Sequence, residues 1–186
     1  KANARWQTTM FGTSGGNFLF MVNGEDAPIY YNGSAFVTPT LSGVTATDIV
    51  NVAAHQRRLF FVFNDSLVFG YLPVVSVAGT VATFDIGGLC KKGGYLQAIG
   101  SWTRDGGAGP DDLAFLPIDQ VAASGQAIST NIQNEFLAST RAYSTIFGWQ
   151  SILYPQGSYS LFNIPLSSTE SVQYVVNSQT GAWCKF

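Results

Sequence analysis

Tight turns separate short apolar segments throughout the first part of this chain. Phe18–Val22 ends at the dipeptide Asn23-Gly24, and Pro28–Tyr31 ends at a second one, Asn32-Gly33, which leads into Ser34–Val37. Dipeptides of this kind favour two-residue turns between antiparallel strands. Three strands within about twenty residues leave no room for a helix between them. The spacing therefore predicts an antiparallel meander and excludes βαβ units.

Similar strand-like segments recur along the chain. They are Arg58–Phe63, Leu67–Leu72, a hairpin formed by Val74–Val77 and Val81–Phe84, Tyr95–Trp102, Gly148–Tyr154, Ser158–Ile164, Ser171–Val176 and Gly181–Phe186. The order strand, turn, strand, Asn turn, Ala-aromatic occurs in both Leu19–Phe36 and Leu161–Trp183. Repeated meanders are typical of β-propeller blades. We therefore expect a mainly β fold of propeller-like meander blades, incomplete in this chain.

One segment has the spacing of a helix instead. Within Ser124–Tyr143, apolar residues Ile128, Ile132 and Phe136 recur every four positions. This pattern predicts one amphipathic helix, with Ser124 or Ser129 as its cap. Packing against the core is the favoured role for this helix, ahead of a lid or a partner contact.

The composition limits the classes of function. Aromatic residues make up 14% of the 186 residues and charged residues only 11%, against roughly 25% charged in a typical domain. Low charge suits an ordinary neutral β domain and equally a subunit that is buried in an assembly. A net charge of −2 without a basic run argues against a nucleic-acid-binding module. The longest apolar run, Leu59–Phe63, is too short to span a membrane.

The residues that carry chemistry are few and scattered. Cys90 and Cys184 lack metal-ligand spacing, and two free thiols are favoured over a Cys90–Cys184 bridge. The single histidine, His55, has no serine or cysteine motif beside it, so a structural or a surface histidine is expected. The aspartates of a Gly-rich loop are interpreted as turn formers rather than calcium ligands: Asp105, Asp111 and Asp112. The sequence therefore predicts no catalytic, cofactor or metal site, and the chain is not expected to be an enzyme.

Several phrases, in order, resemble the tail nozzle or tail tubular proteins of short-tailed bacteriophages. They span nearly the whole chain: Asn23–Pro28, Tyr31–Phe36, Gln56–Phe61, Tyr71–Pro73, Phe84–Gly88, Lys92–Tyr95, Ser101-Trp102, Gln173–Asn177 and Thr180–Cys184. The resemblance implies a structural virion protein with a β-propeller. It implies a homo-oligomeric ring, a hexamer, around the DNA-ejection channel, joined to the portal, the adaptor and the tail fibres. DNA would pass through without specific binding, and the protein would be assembled in the host cytoplasm and located in the virion tail.

The resemblance also suggests a division of the chain. Residues 1–115 are expected to form meander blades, 116–147 a helix-containing insertion or connector, and 148–186 further strands of the same domain. About two blades of the family pattern are missing at Phe115-Leu116, so we expect the natural protein to have more residues at this junction.

Two other classes of function stay open. A carbohydrate- or receptor-binding domain of a phage tail would expose aromatic side chains beside polar loops. However, buried blade cores are the commoner place for the tryptophans, which are Trp6, Trp102, Trp149 and Trp183. A propeller hydrolase would need paired carboxylates, and the sequence offers few candidates, among them Glu25, Asp26 and Glu135.

Overall fold

The protein is described by a computed structural model, which covers residues 5–88, 90, 94–102, 112–117, 122–123, 126–127, 129–154 and 157–186. These residues form a mainly β structure with four four-stranded antiparallel sheets and one α-helix. Each sheet is a meander in which neighbours in sequence are, with one exception, neighbours in space. The predicted class of propeller-like blades with one helix is therefore confirmed.

The first two blades follow one another along the chain. The first blade contains, from one edge to the other, β1 (Gln7–Thr13), β2 (Gly16–Val22), β3 (Ile29–Tyr31) and β4 (Phe36–Val37). A short strand, β5 (Leu41–Ser42), and a 3-10 turn, Ala46–Asp48, lead to the second blade. That blade contains β6 (Ile49–His55), β7 (Arg58–Phe63), β8 (Val68–Tyr71) and β10 (Ala82–Asp85), while β9 (Gly79–Thr80) pairs in parallel with β5.

The other two blades flank the helix. The third contains β11 (Leu96–Trp102), β12 (Asp112–Pro117), β13 (Ala122–Ala123) and β14 (Gln126–Ala127). Helix α1 (Gln133–Tyr143) follows a 3-10 turn at Thr130–Ile132. The fourth blade contains β15 (Gln150–Tyr154), β16 (Tyr159–Pro165), β17 (Ser171–Asn177) and β18 (Trp183–Lys185). In this chain β12 runs across Phe115-Leu116, and the segment 116–147 supplies both strands and the helix; the extra residues expected at this junction in the natural protein stay a prediction.

Two local predictions are wrong. The expected hairpin of Val74–Val77 with Val81–Phe84 does not form, because Val74–Val77 is turn and β10 pairs with β8. The helix does not begin at Ser124, because Gln126–Ala127 pairs with β13 as an edge strand. Strand pairing of so few residues leaves no periodic signal in the sequence.

The start of the helix also lacks the predicted serine cap. Ile132 is the N-cap residue, and neither it nor Ser129, which precedes the 3-10 turn, makes a side-chain capping bond. The packing prediction is confirmed instead: Phe136 is fully buried against the fourth blade, with Ile132 and Tyr143 beside it. In the described part of the chain, no helix has the length and apolarity that crossing a membrane requires.

Among the residues that the structure describes, the apolar core is divided into three clusters, one between each pair of consecutive blades. Strand β7 contributes residues to two of these clusters. Its alternate residues Leu59, Phe61 and Phe63 pack toward the first blade, whereas Phe60 and Val62 pack toward the third. A strand that is buried on both faces must be apolar at successive positions, which explains the unbroken run Leu59–Phe63. The third cluster joins the third and fourth blades and includes Trp102, Trp149 and Phe162.

Candidate functional site

The first strands of the four blades enclose a central cavity. Strand β1 packs on β6, β6 on β11, and β11 on β15. The cavity has a volume of about 370 Å³ and is lined by Gln7–Thr9, Asn51–Ala54, Ile99–Ser101 and Gln150–Leu153. Each of these strands is the edge of its sheet, so one side of its backbone has no partner strand. Polar side chains can satisfy those backbone groups, and about half of the residues that line the central cavity are Gln, Thr, Asn or Ser, while the rest are apolar or glycine.

Asn51 links three blades at this cavity. Its side-chain oxygen accepts a hydrogen bond from the backbone N–H of Ile99 (3.3 Å), and its amide nitrogen donates to the carbonyl of Trp149 (3.3 Å). All three residues are buried. A bulge at Val50 in β6 precedes Asn51, and a second one at Gln97 in β11 precedes Ile99. Bulges re-aim the side chains that follow them, which here brings the amide to the neighbouring strand.

His55 lies at the end of β6 and contacts the third blade. Its Nδ1 lies 2.8 Å from the hydroxyl oxygen of Ser101, which is the next-to-last residue of β11. The imidazole is 8% exposed, and its ring packs edge-on against Phe60. Of the two expectations for His55, the structural one is supported by this burial. The serine partner, however, is 46 residues away in sequence, so no local sequence motif could predict this contact.

Ser151 is a second serine of the central cavity. A Cβ atom added to Gly100 would lie 2.6 Å from the Ser151 hydroxyl oxygen. Glycine at position 100 therefore lets β15 approach β11 more closely than any other residue would allow. Ser101 and Ser151 are both half-buried and line the same cavity.

Arg5 connects the chain before β1 with the fourth blade. Its guanidinium donates hydrogen bonds to the backbone carbonyls of Phe147 (2.8 Å), Ser167 (3.3 Å) and Ser168 (3.3 Å). Beside Arg5 lies a smaller cavity of about 300 Å³, whose lining includes Gln150 and Asn163. These contacts hold the segment before β1 against the fourth blade.

The remaining candidate residues lie apart from the central cavity or outside the described residues. Cys90 is buried and Cys184 is exposed, and no disulfide joins the two. Trp102 and Trp149 are buried in the core, whereas Trp6 and Trp183 are half-buried. Asp105 and Asp111, and the side chain of Asp112, lie outside what the structure describes. Among the described residues, no three His, Cys, Asp or Glu side chains gather as a metal site would require.

The carboxylates named in the sequence lie in separate places. Asp26 accepts a hydrogen bond from the Asn23 amide in the turn after β2, next to Glu25. Glu135 lies on α1, where it forms an ion pair with Lys185 of β18. A larger cavity, of about 490 Å³, lies near the segment between α1 and β15, and Asp65 is the one acidic residue among those described as lining it. These positions do not place two of these carboxylates across one cavity.

No protein-family model matches the chain, and no curated protein matches it significantly in sequence.

Proposed function

We propose that this chain is a structural component of a bacteriophage virion, a tail nozzle subunit that forms a ring around the DNA-ejection channel and joins the adaptor and the fibres. The reason for proposing this family is the set of sequence phrases that resemble it in the same order. The fold of propeller-like blades is compatible with it. The role is mechanical, because subunit contacts hold the conduit open and carry the load of attached parts, and cyclic symmetry closes such contacts into a ring.

The observation that best supports an assembled state is the exposure of large apolar side chains on outer strands. Phe36 lies on β4 and is 65% exposed, and Phe84 lies on β10 and is 55% exposed. Both strands are the outer edges of their sheets. An uncovered edge strand with exposed apolar residues favours association, and natural monomers usually protect such edges with charge or proline. Neighbouring subunits or fibres would cover these two edges in the virion.

The first test is the intact mass and peptide map of the protein from its natural particle. The proposal expects peptides of this chain in purified tails, and the extra residues expected at Phe115-Leu116 would appear as a larger mass. Absence of the protein from intact virions, or its recovery only from host fractions, would contradict the proposal.

A second test uses the full-length natural protein. We expect light scattering and electron microscopy to show rings, and Phe36→Ser or Phe84→Ser to weaken them. Met10→Ser is the matched control, because Met10 is 62% exposed but lies on the inner strand β1. A protein that stays monomeric at all concentrations, alone and with its tail partners, would refute the ring.

Binding of a glycan or another host receptor is the second candidate, and one observation favours it. Tyr154 and Tyr159 are cross-strand partners at the end of the β15–β16 hairpin, 51% and 41% exposed. Exposed aromatic rings beside polar residues are platforms for sugar stacking. Glycan-array binding that is lost in Tyr154→Ala but kept in Phe84→Ser would place this function first.

A further inference from the structure

The geometry points to Ser101 as an activated nucleophile that takes up an acyl or phosphoryl group from small, uncharged ester electrophiles in the central cavity, with His55 as its base. This inference goes beyond the mechanical role and does not depend on it. A serine hydroxyl is a weak nucleophile unless a base within hydrogen-bond reach accepts its proton.

The pair has the geometry that this chemistry needs. The distance of 2.8 Å between His55 Nδ1 and Ser101 Oγ is within the range for nucleophile and base. When Nδ1 is unprotonated, the serine hydroxyl donates to it. The Phe60 ring and the burial of His55 hold the imidazole in place. The base is therefore preorganised, and Ser101 itself lines the cavity.

The cavity defines the class of electrophile. Its volume of about 370 Å³ is near the lower end of the roughly 300–1,000 Å³ of small-molecule sites. None of the described lining residues carries a charge. Thr9 and Ser151 also line this cavity, and their hydroxyl groups are the candidate donors to a developing oxyanion. A small neutral ester fits these properties better than a carboxylate or a free phosphate, which would need a cationic partner.

The reaction transfers an acyl or phosphoryl group to Ser101. Ser101 Oγ forms a bond to the carbonyl or phosphoryl centre, and the hydroxyl proton passes to His55 Nδ1. The bond between that centre and its leaving group then breaks, and His55 returns the proton to the leaving group. The products are an acylated or phosphorylated Ser101 and the protonated leaving group.

The experiment is covalent labelling of the natural, assembled protein with diisopropyl fluorophosphate, followed by peptide mapping of the modified serines. Ser151 is an internal control, since it is equally half-buried in the same cavity and makes no described bond to a histidine. General-base activation contributes typically 10²–10⁴-fold, so we expect Ser101 to be labelled at least about 100-fold faster than Ser151. Labelling in urea should abolish this difference.

One variant distinguishes the role of His55 as a base from its role in the structure. His55→Asn places an amide atom near the position of Nδ1, so it keeps a hydrogen bond to Ser101 but cannot take up the proton. We expect about 100-fold slower labelling of Ser101 in a protein that still shows a cooperative thermal unfolding transition. Equal labelling of Ser101 and Ser151 in the wild-type protein overturns the inference, even if the variant fails to fold. Undiminished labelling of a folded His55→Asn protein overturns it as well.

Discussion

Replacing Asn51 by alanine should destabilise the protein more than its two long hydrogen bonds suggest. The change removes the acceptor of the Ile99 N–H and the donor to the Trp149 carbonyl. Ile99 and Trp149 are each 2% exposed. Both backbone groups would then be buried without a partner.

The magnitude follows from the cost of each orphaned group. A buried donor or acceptor that loses its partner costs about 1–3 kcal/mol, so two of them cost about 2–6 kcal/mol. Asn51 lines the central cavity, and water entering the vacated space can hydrate one of the two groups. We therefore expect a loss of about 2–3 kcal/mol in the free energy of unfolding, toward the lower end of that range.

The matched control is Asn32→Ala. Asn32 is exposed in the β3–β4 turn, and its side-chain oxygen also accepts two backbone hydrogen bonds, from Ser34 (2.9 Å) and Ala35 (2.8 Å). Water replaces exposed bonds, so this change should cost no more than about 1 kcal/mol. The assay is urea unfolding followed by tryptophan fluorescence. If the length of a hydrogen bond mattered more than its burial, Asn32→Ala would lose more free energy of unfolding than Asn51→Ala. A loss in Asn51→Ala that is no larger than the loss in Asn32→Ala would refute the reasoning.

Three further predictions concern other contacts. Ser160→Ala should stabilise the protein by about 1 kcal/mol in urea unfolding, because the Ser160 hydroxyl is buried without a hydrogen-bond partner in the described structure; a clear destabilisation would contradict this. Gly100→Ala should cost about 1–3 kcal/mol through overpacking against the Ser151 hydroxyl, and the double variant with Ser151→Gly should lose less than the sum of the single changes. Glu135→Gln should lower the pKa of Lys185, which the hydrogen bond from Lys185 to Glu135 raises above its ordinary value, as NMR titration would show. The stability linked to that raised pKa is present below the unfolded pKa and is lost as the pH rises through the folded one; both side chains are exposed, so unfolding at neutral pH should change little.

The outer parts of the blades were predictable because their signals are local. The dipeptides Asn23-Gly24 and Asn32-Gly33 correctly marked the ends of β2 and β3, although the connections that follow are six and four residues long rather than two. Asn23 and Asn32 also act as predicted turn formers, since each side-chain oxygen accepts two backbone hydrogen bonds from the residues that follow. The apolar run of β7 was recognisable for the same reason, because burial on both faces leaves a continuous signal.

Two of the four inner strands were not predictable in the same way. Strands β1 and β6 escaped the sequence analysis, although they line the central cavity with β11 and β15. Their cavity-facing positions hold residues such as Gln7, Thr9 and Asn51, which break the apolar pattern that marks a half-buried strand. The contact between His55 and Ser101 depends in addition on the packing of β6 against β11. The spacing of residues in a single sequence does not predict a contact between residues so far apart.

The absence of a signal in β1 and β6 has a physical cause that also bears on function. The edge of β6 that faces the neighbouring blade has backbone groups without a strand partner, and side chains such as Asn51 satisfy the corresponding groups of its neighbours. The polarity that hides these strands in the sequence is therefore a structural requirement, and it places hydroxyl and amide groups around one cavity. A requirement of packing alone explains Asn51, whose bonds are both to backbone. The contact of His55 with Ser101 joins two side chains and satisfies no backbone group, so fluorophosphate labelling, rather than stability, distinguishes a structural pair from a reactive one.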